Sequence, residues 1–201
     1  RGSALSAAPP AKRQKSNSAY VVAITGSSCS GKSTLAQLLQ MTLSQLNHVE
    51  LIEQDGFVCF SRENTVTWDG RLRETWEGPQ FTSWCKLHNA VAAAKAKSAV
   101  VIVEGYTLLD SVHTRPALAA LFDAVLWVSS TKAQVIARRT GYPSEAKDAR
   151  RGWPSCESYA KHCVWAQHMA YVQRVASLLA RGTALSAVLP AGESKEYRLQ
   201  R

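Results

Sequence analysis

The chain has 201 residues, 46% of them hydrophobic, and carries 24 Lys and Arg against 15 Asp and Glu, a net charge of +9. That length suits one domain with a full core. No apolar run approaches the roughly 18 residues a membrane span needs, and five dispersed cysteines show neither paired nor zinc spacing, so a soluble chain in a reducing compartment is expected.

Residues 1 to 18, RGSALSAAPPAKRQKSNS, are small, polar and basic without periodicity and read as a disordered tail ahead of a single domain over residues 19 to 201. A cytoplasmic protein is expected, with Lys12, Arg13 and Lys15 leaving a nuclear or organellar address open. The remaining positive charge fits either nucleic acid or a triphosphate. Basic and aromatic residues do not alternate along one face, so the phosphate reading is preferred, with no nucleic-acid and no membrane partner.

From Ala19 onward, short β-rich runs alternate with helical stretches. The runs are Ala19–Thr25, Val49–Gln54, Ala99–Val103, Asp123–Ser129 and Ala184–Leu189. The helical stretches are Lys32–Leu46, Gln80–Lys97, Arg115–Phe122, Ala133–Arg139 and Glu157–Arg181. Apolar strands alternating with helices predict an α/β sandwich, a five-stranded parallel sheet with helices on both faces. Two segments interrupt the pattern, residues 56 to 79 and residues 139 to 156. Irregular segments of that length in a compact α/β domain serve as substrate loops and lids, or are disordered insertions.

The first run leads straight into GSSCSGKST, residues 26 to 34, with the spacing G-x-x-x-x-G-K-S. Gly26 and Gly31 let the backbone N–H groups of Ser27, Ser28, Cys29 and Ser30 converge on phosphate oxygens, and the following helix adds its N-terminal dipole. Lys32 supplies a point charge to the outer phosphates, the Ser33 hydroxyl suits Mg²⁺, and Thr34 completes the motif. A strand before and a helix after make a chance Gly/Ser turn a poor alternative. Cys29, near a helix N-terminus, is a candidate for a lowered pKa and oxidation sensitivity.

Two acids end strands on the same side of the expected sheet, where open α/β sheets bind ligands. Glu104 closes Val100-Val101-Ile102-Val103-Glu104 and is placed to hold Mg²⁺ or its water, or else to cap the next turn. Asp55 closes the second run and is placed to accept the proton of an attacking hydroxyl. Asp55-Gly56 is also an ordinary turn signal, and spacing leaves both readings open. Arg138 and Arg139 close the helix before the second irregular segment, and Arg150 and Arg151 lie within it, where a mobile cation could neutralise a transferring phosphoryl group. Trp68, Trp76, Tyr142 and Trp153 fall in loops, and two facing rings could sandwich a flat base. The five histidines form no ligand set.

No Asn-Lys-x-Asp segment is present, which disfavours a GTPase, and the chain is too short for an ATPase motor with extra domains. In order, GSSCSGKST, IEQDGF, TWEGPQF, VIVEGYTLL and RRTGYP resemble the nicotinamide riboside kinase and uridine kinase group of P-loop kinases. The resemblance spans about Tyr20 to His168. Arg139-x-Gly141-Tyr142, then Trp153, Tyr159 and Val164-Trp165, are most similar to nicotinamide riboside kinases.

That resemblance implies a P-loop kinase three-layer sandwich with a small lid, using ATP and Mg²⁺ on a small-molecule nucleoside, as a monomer or homodimer. It implies Asp55 as base at the ribose 5′-hydroxyl, Lys32 on the β- and γ-phosphates, and Ser33 and Glu104 on Mg²⁺; Arg138 is separately expected among the ATP-binding residues. It also implies Trp76 and Tyr142 stacked on the nicotinamide ring, with Glu77 and Arg139 on the ribose hydroxyls. The chain departs from the group where Asp55-Gly56-Phe57 replaces the usual Asp-Asp-Phe and Trp76-Glu77-Gly78-Pro79 replaces Trp-Asp-x-Pro. A uridine or cytidine kinase, another small-molecule kinase, and a non-catalytic nucleotide-binding module are the alternatives.

Overall fold

The computed structural model describes residues 19–59, 65–68, 71–75, 77–141, 157–180 and 185–190. The main sheet is parallel and five-stranded, formed by β1 (Tyr20–Gly26), β2 (Val49–Glu53), β5 (Val100–Gly105), β6 (Ala124–Ser129) and β7 (Leu185–Pro190), in the order β2-β5-β1-β6-β7. All five lie within a residue or two of the predicted runs.

Why the strands read as nearly unbroken apolar runs is visible in their neighbours. Val21 and Ala23 of β1, Val101 and Val103 of β5, and Val125 and Trp127 of β6 face one core. Their alternates, Ile24, Ile102 and Val128, face the other. With both faces covered, period-two alternation carries no polar residue to mark it. Helix α1 (Lys32–Leu43) covers the second face through Leu35, Ala36, Leu39 and Leu43. The first face is covered by α2 (Trp84–Lys95) through Leu87 and Val91, and by α6 (Trp165–Ala180) through Tyr171 and Val175. The arrangement is a three-layer α/β sandwich, and none of its described helices is long and apolar enough to cross a membrane.

The expected helix over Arg115–Phe122 is instead two short turns, α3 (Ser111–Thr114) and α4 (Pro116–Ala119). Pro116 starts a helix readily because its missing N–H would be unpaired there anyway. Helix α5 (Lys132–Thr140) opens on a capping box in which Thr131 and Gln134 bond each other's backbone N–H. The last predicted helix is interrupted: a single turn at Glu157–Tyr159 passes into a π-helical segment, Ala160–Val164, before α6 begins.

The segment 56 to 79 departs from the expected irregular loop. It holds an antiparallel hairpin, β3 (Thr65–Trp68) with β4 (Arg71–Glu74), Thr65 registering with Glu74. The signal is in the sequence, since Asp69-Gly70 is a favoured two-residue hairpin connection between such runs.

Candidate active site

Strand β1 delivers the glycine-rich loop to the carboxyl edge of the sheet. Gly26 has φ +145°, and a Cβ on it would run into the backbone carbonyl of Val128 on the neighbouring β6. Only glycine lets β1 turn that close to its neighbour. Gly31, at φ +98°, then sets the chain into α1, and Cys29 also adopts a left-handed conformation at φ 59°. The loop is braced from behind. Arg138 Nη1 donates to the carbonyls of Cys29 and Ser30, both at 3.2 Å. The hydroxyls of buried Ser27 and of Ser130 contact each other.

Lys32 and Glu104 are buried together at the mouth of α1. Lys32 Nζ donates to the Ser27 carbonyl at 3.0 Å and lies 3.6 Å from Glu104 Oε1. Ser33, exposed at the helix start, donates from Oγ to Glu104 Oε2 at 3.1 Å. Burial pushes the Glu104 carboxyl above its ordinary value; Lys32 and the Ser33 hydroxyl pull it down, while Asp55 pushes it up. A hydroxyl and a carboxylate in contact are the hard-oxygen pair with which P-loop proteins hold Mg²⁺ alongside phosphate oxygens. The donor set therefore fits that ion.

Asp55 lies just past β2 in a 3₁₀ turn, Gln54–Phe57, half-buried and facing the charges of Glu77 and Glu104 closely enough to raise both. Its backbone is fixed by the preceding residue. Gln54 Nε2 donates to Thr82 Oγ1 at 2.7 Å and Thr107 Oγ1 at 2.9 Å, and its Oε1 accepts from Thr107 N at 3.1 Å. This amide ties the end of β2 to the end of β5. Gly105 leaves room for it, since a Cβ there would overlap the Gln54 side chain.

Glu77 and Arg139, expected on the acceptor, are brought together and buried at 8% and 1% exposure. Burial raises the Glu77 carboxyl, while Arg139 and the Tyr159 hydroxyl lower it. The structure thus brings Lys32, Ser33, Glu104, Asp55, Glu77 and Arg139 near one another past the carboxyl ends of β1, β2 and β5, with Arg138 behind the loop. Trp76 and Tyr142, the expected stacking pair, lie outside the described residues, as do Arg150, Arg151 and Trp153.

Three residues packed around this site are given no role by the sequence reading, Tyr159 entering it only as a point of resemblance. Gln54 is read only as the end of a strand. Tyr159 is fixed by a contact across 82 positions. His168, 4% exposed, sits beside Trp127 and Trp165, with ring centroids at 5.9 and 5.2 Å, and its Nδ1 has no partner among the described residues.

This is the P-loop kinase fold. The chain matches no protein-family model and no curated protein. Its structure is similar to a candidate fructose transport system kinase from Silicibacter sp. TM1040, with TM-score 0.57 and 19% identity, over 89% of this chain and 92% of that one. It is also similar to a possible uridine kinase from Bacillus stearothermophilus, TM-score 0.52 and 16% identity, over 86% and 91%. A third is a shikimate kinase from Acinetobacter baumannii, TM-score 0.52 and 13% identity, over 91% and 89%.

Proposed function

We propose that this protein transfers the γ-phosphoryl group of ATP to a hydroxyl of a small molecule. The acceptor favoured by its motifs is a nucleoside 5′-hydroxyl, nicotinamide riboside before uridine or cytidine. One observation carries the reading: the glycine-rich loop with Lys32, the Ser33–Glu104 pair and the Asp55 carboxylate lie close together past the carboxyl ends of the strands.

The backbone N–H groups of residues 26 to 34 and the start of α1 hold the phosphates, and Lys32 leaves its resting partners to meet the outer ones. Ser33 and Glu104 would hold Mg²⁺, which when bound supplies charge neutralisation to the phosphate oxygens. Asp55 orients the acceptor hydroxyl and takes its proton as the oxygen bonds to the γ-phosphorus. The bond from that phosphorus to the bridging oxygen then breaks and ADP departs. Glu77 and Arg139 hold the acceptor's other hydroxyls, so positioning rather than covalent chemistry accounts for most of the rate.

The resemblance supports nicotinamide riboside, while Gly56 supports keeping other acceptors in view. Gly56 stands where the resembling kinases carry the second acid of Asp-Asp-Phe, and it is exposed, with open space where a side chain would stand. ADP release over a panel of nicotinamide riboside, uridine, cytidine, shikimate, gluconate and fructose tests the reading. Nicotinamide riboside is expected to turn over fastest. A faster uridine would reverse the order of acceptors, and no acceleration by any acceptor would favour a non-catalytic nucleotide-binding module.

A further inference from the structure

Tyr159 joins three distant segments. Its hydroxyl donates to Glu77 Oε1 at 3.2 Å, and the Glu77 backbone N–H donates to Thr75 Oγ1 at 3.2 Å. The guanidinium of Arg139, in the last turn of α5, lies 5.6 Å from the centroid of the Tyr159 ring. The ring is anchored in a small apolar cluster of Val135, Cys163 and Val164, set apart from the two sheet cores. The π-helical segment that follows Tyr159 contributes Cys163 and Val164 to this anchor, and such insertions are frequent at functional sites.

A hydroxyl, a carboxylate and a guanidinium buried together form an arrangement with little rotational freedom. Tyr159 and Thr75 hold Glu77 from one side, which leaves Oε2 as the oxygen able to serve a second donor. A buried carboxylate that keeps its charge needs such bonds, because an unpaired one is strongly disfavoured away from water. The charged and titratable groups around it are Arg139 of α5, Asp55 after β2, Lys32 of α1, and Tyr106 after β5.

We propose that Tyr159 is a positioning residue for acceptor specificity: its hydroxyl fixes the Glu77 carboxylate so that Oε2 reads a hydroxyl pair on the acceptor. This rests on Glu77 being an acceptor-binding group, as proposed above. Sites built to bond a substrate hydroxyl discriminate strongly against analogues that lack it, because their polar groups are then left unpaired.

Tyr159→Phe removes the hydroxyl that bonds Glu77 and keeps the ring near Arg139 and in its apolar cluster. The experiment compares the fastest nucleoside of the panel with its 2′-deoxy and 3′-deoxy counterparts, in wild type, Tyr159→Phe, Glu77→Gln and the double variant. Tyr159→Phe is expected to lower kcat/KM for the ribonucleoside roughly tenfold, mainly through the acceptor KM, and to narrow its advantage over a deoxy counterpart by a similar factor. In the Glu77→Gln background the same change is expected to alter kcat/KM less than about twofold, since the two residues act through one contact. Equal losses for ribo and deoxy acceptors, or an undiminished loss in the Glu77→Gln background, would overturn the proposal while leaving the kinase reading intact. A wild-type protein that turns over no acceptor would overturn both.

Discussion

The Lys32 ammonium stands 3.6 Å from Glu104 Oε1, both side chains almost wholly shielded from water, while Ser33 bonds the other oxygen of that carboxylate. The motif's cation and this buried acid neutralise each other. Glu104→Gln removes a carboxylate proposed to hold Mg²⁺ and leaves the shape of the site, so turnover is expected to fall on the order of a hundredfold or more. The pH dependence of stability carries a second sign. Burial raises the Glu104 and Glu77 carboxyls above their ordinary 4.5. The folded protein therefore binds more protons than the unfolded chain just above that pH, and these two groups make stability fall as pH rises through the interval. Thermal melts of ligand-free Glu104→Gln and Glu77→Gln should show a smaller decline across that interval than wild type. A steeper decline would contradict the assignment.

His168 has the opposite sign. Burial and the nearby Lys32 charge lower it from 6.5 to about 4, so the folded protein binds fewer protons between those values. Its contribution to stability is present above 6.5 and lost as pH falls toward 4. His168→Phe, which keeps a ring between Trp127 and Trp165, should gain on wild type by roughly 3 kcal/mol between neutral pH and pH 4. Denaturant melts at the two pH values measure the difference, and equal losses in both proteins would contradict it.

Gly26 and Gly56 give opposite responses to one methyl group. Gly26→Ala puts a Cβ into the Val128 carbonyl at φ +145° and is expected to disrupt the loop and abolish ATP binding. Gly56→Ala meets nothing within 4 Å and should leave stability unchanged or raise it by about 0.4–1 kcal/mol. Melting curves and ATP titration of both variants check the contrast.

Arg138 reaches the phosphate loop from the far end of α5, through two 3.2 Å bonds to the Cys29 and Ser30 carbonyls. Arg138→Ala should weaken ATP binding by roughly tenfold, because bonds from a charged donor are the stronger kind and the loop loses its brace. Calorimetric titration with a non-hydrolysable ATP analogue measures this. An unchanged affinity would assign Arg138 to α5 alone.

The sheet and the phosphate loop were legible because each depends on residues close in sequence. Val100 to Val103 is apolar because β5 is covered on both faces, and glycines at 26 and 31 with Lys32 mark the loop within nine residues of sequence. The hairpin Thr65–Trp68 with Arg71–Glu74 was legible in principle from Asp69-Gly70 but was obscured by the charged and aromatic residues around it. Contacts between distant segments were not legible. Tyr159 meets Glu77 across 82 positions, and the Arg174–Asp110 pair, bidentate at 2.8 and 2.9 Å, spans 64. Such partners are chosen by how helices settle on the sheet, and periodicity holds no record of that choice.

The most direct measurement is acceptor-dependent ADP release by Asp55→Asn, with ATP affinity determined on the same preparation. The amide keeps the size of the side chain and removes the proton acceptor. The account predicts a loss of on the order of a hundredfold to ten thousandfold in kcat with ATP affinity within about twofold of wild type. Undiminished turnover in Asp55→Asn would contradict it.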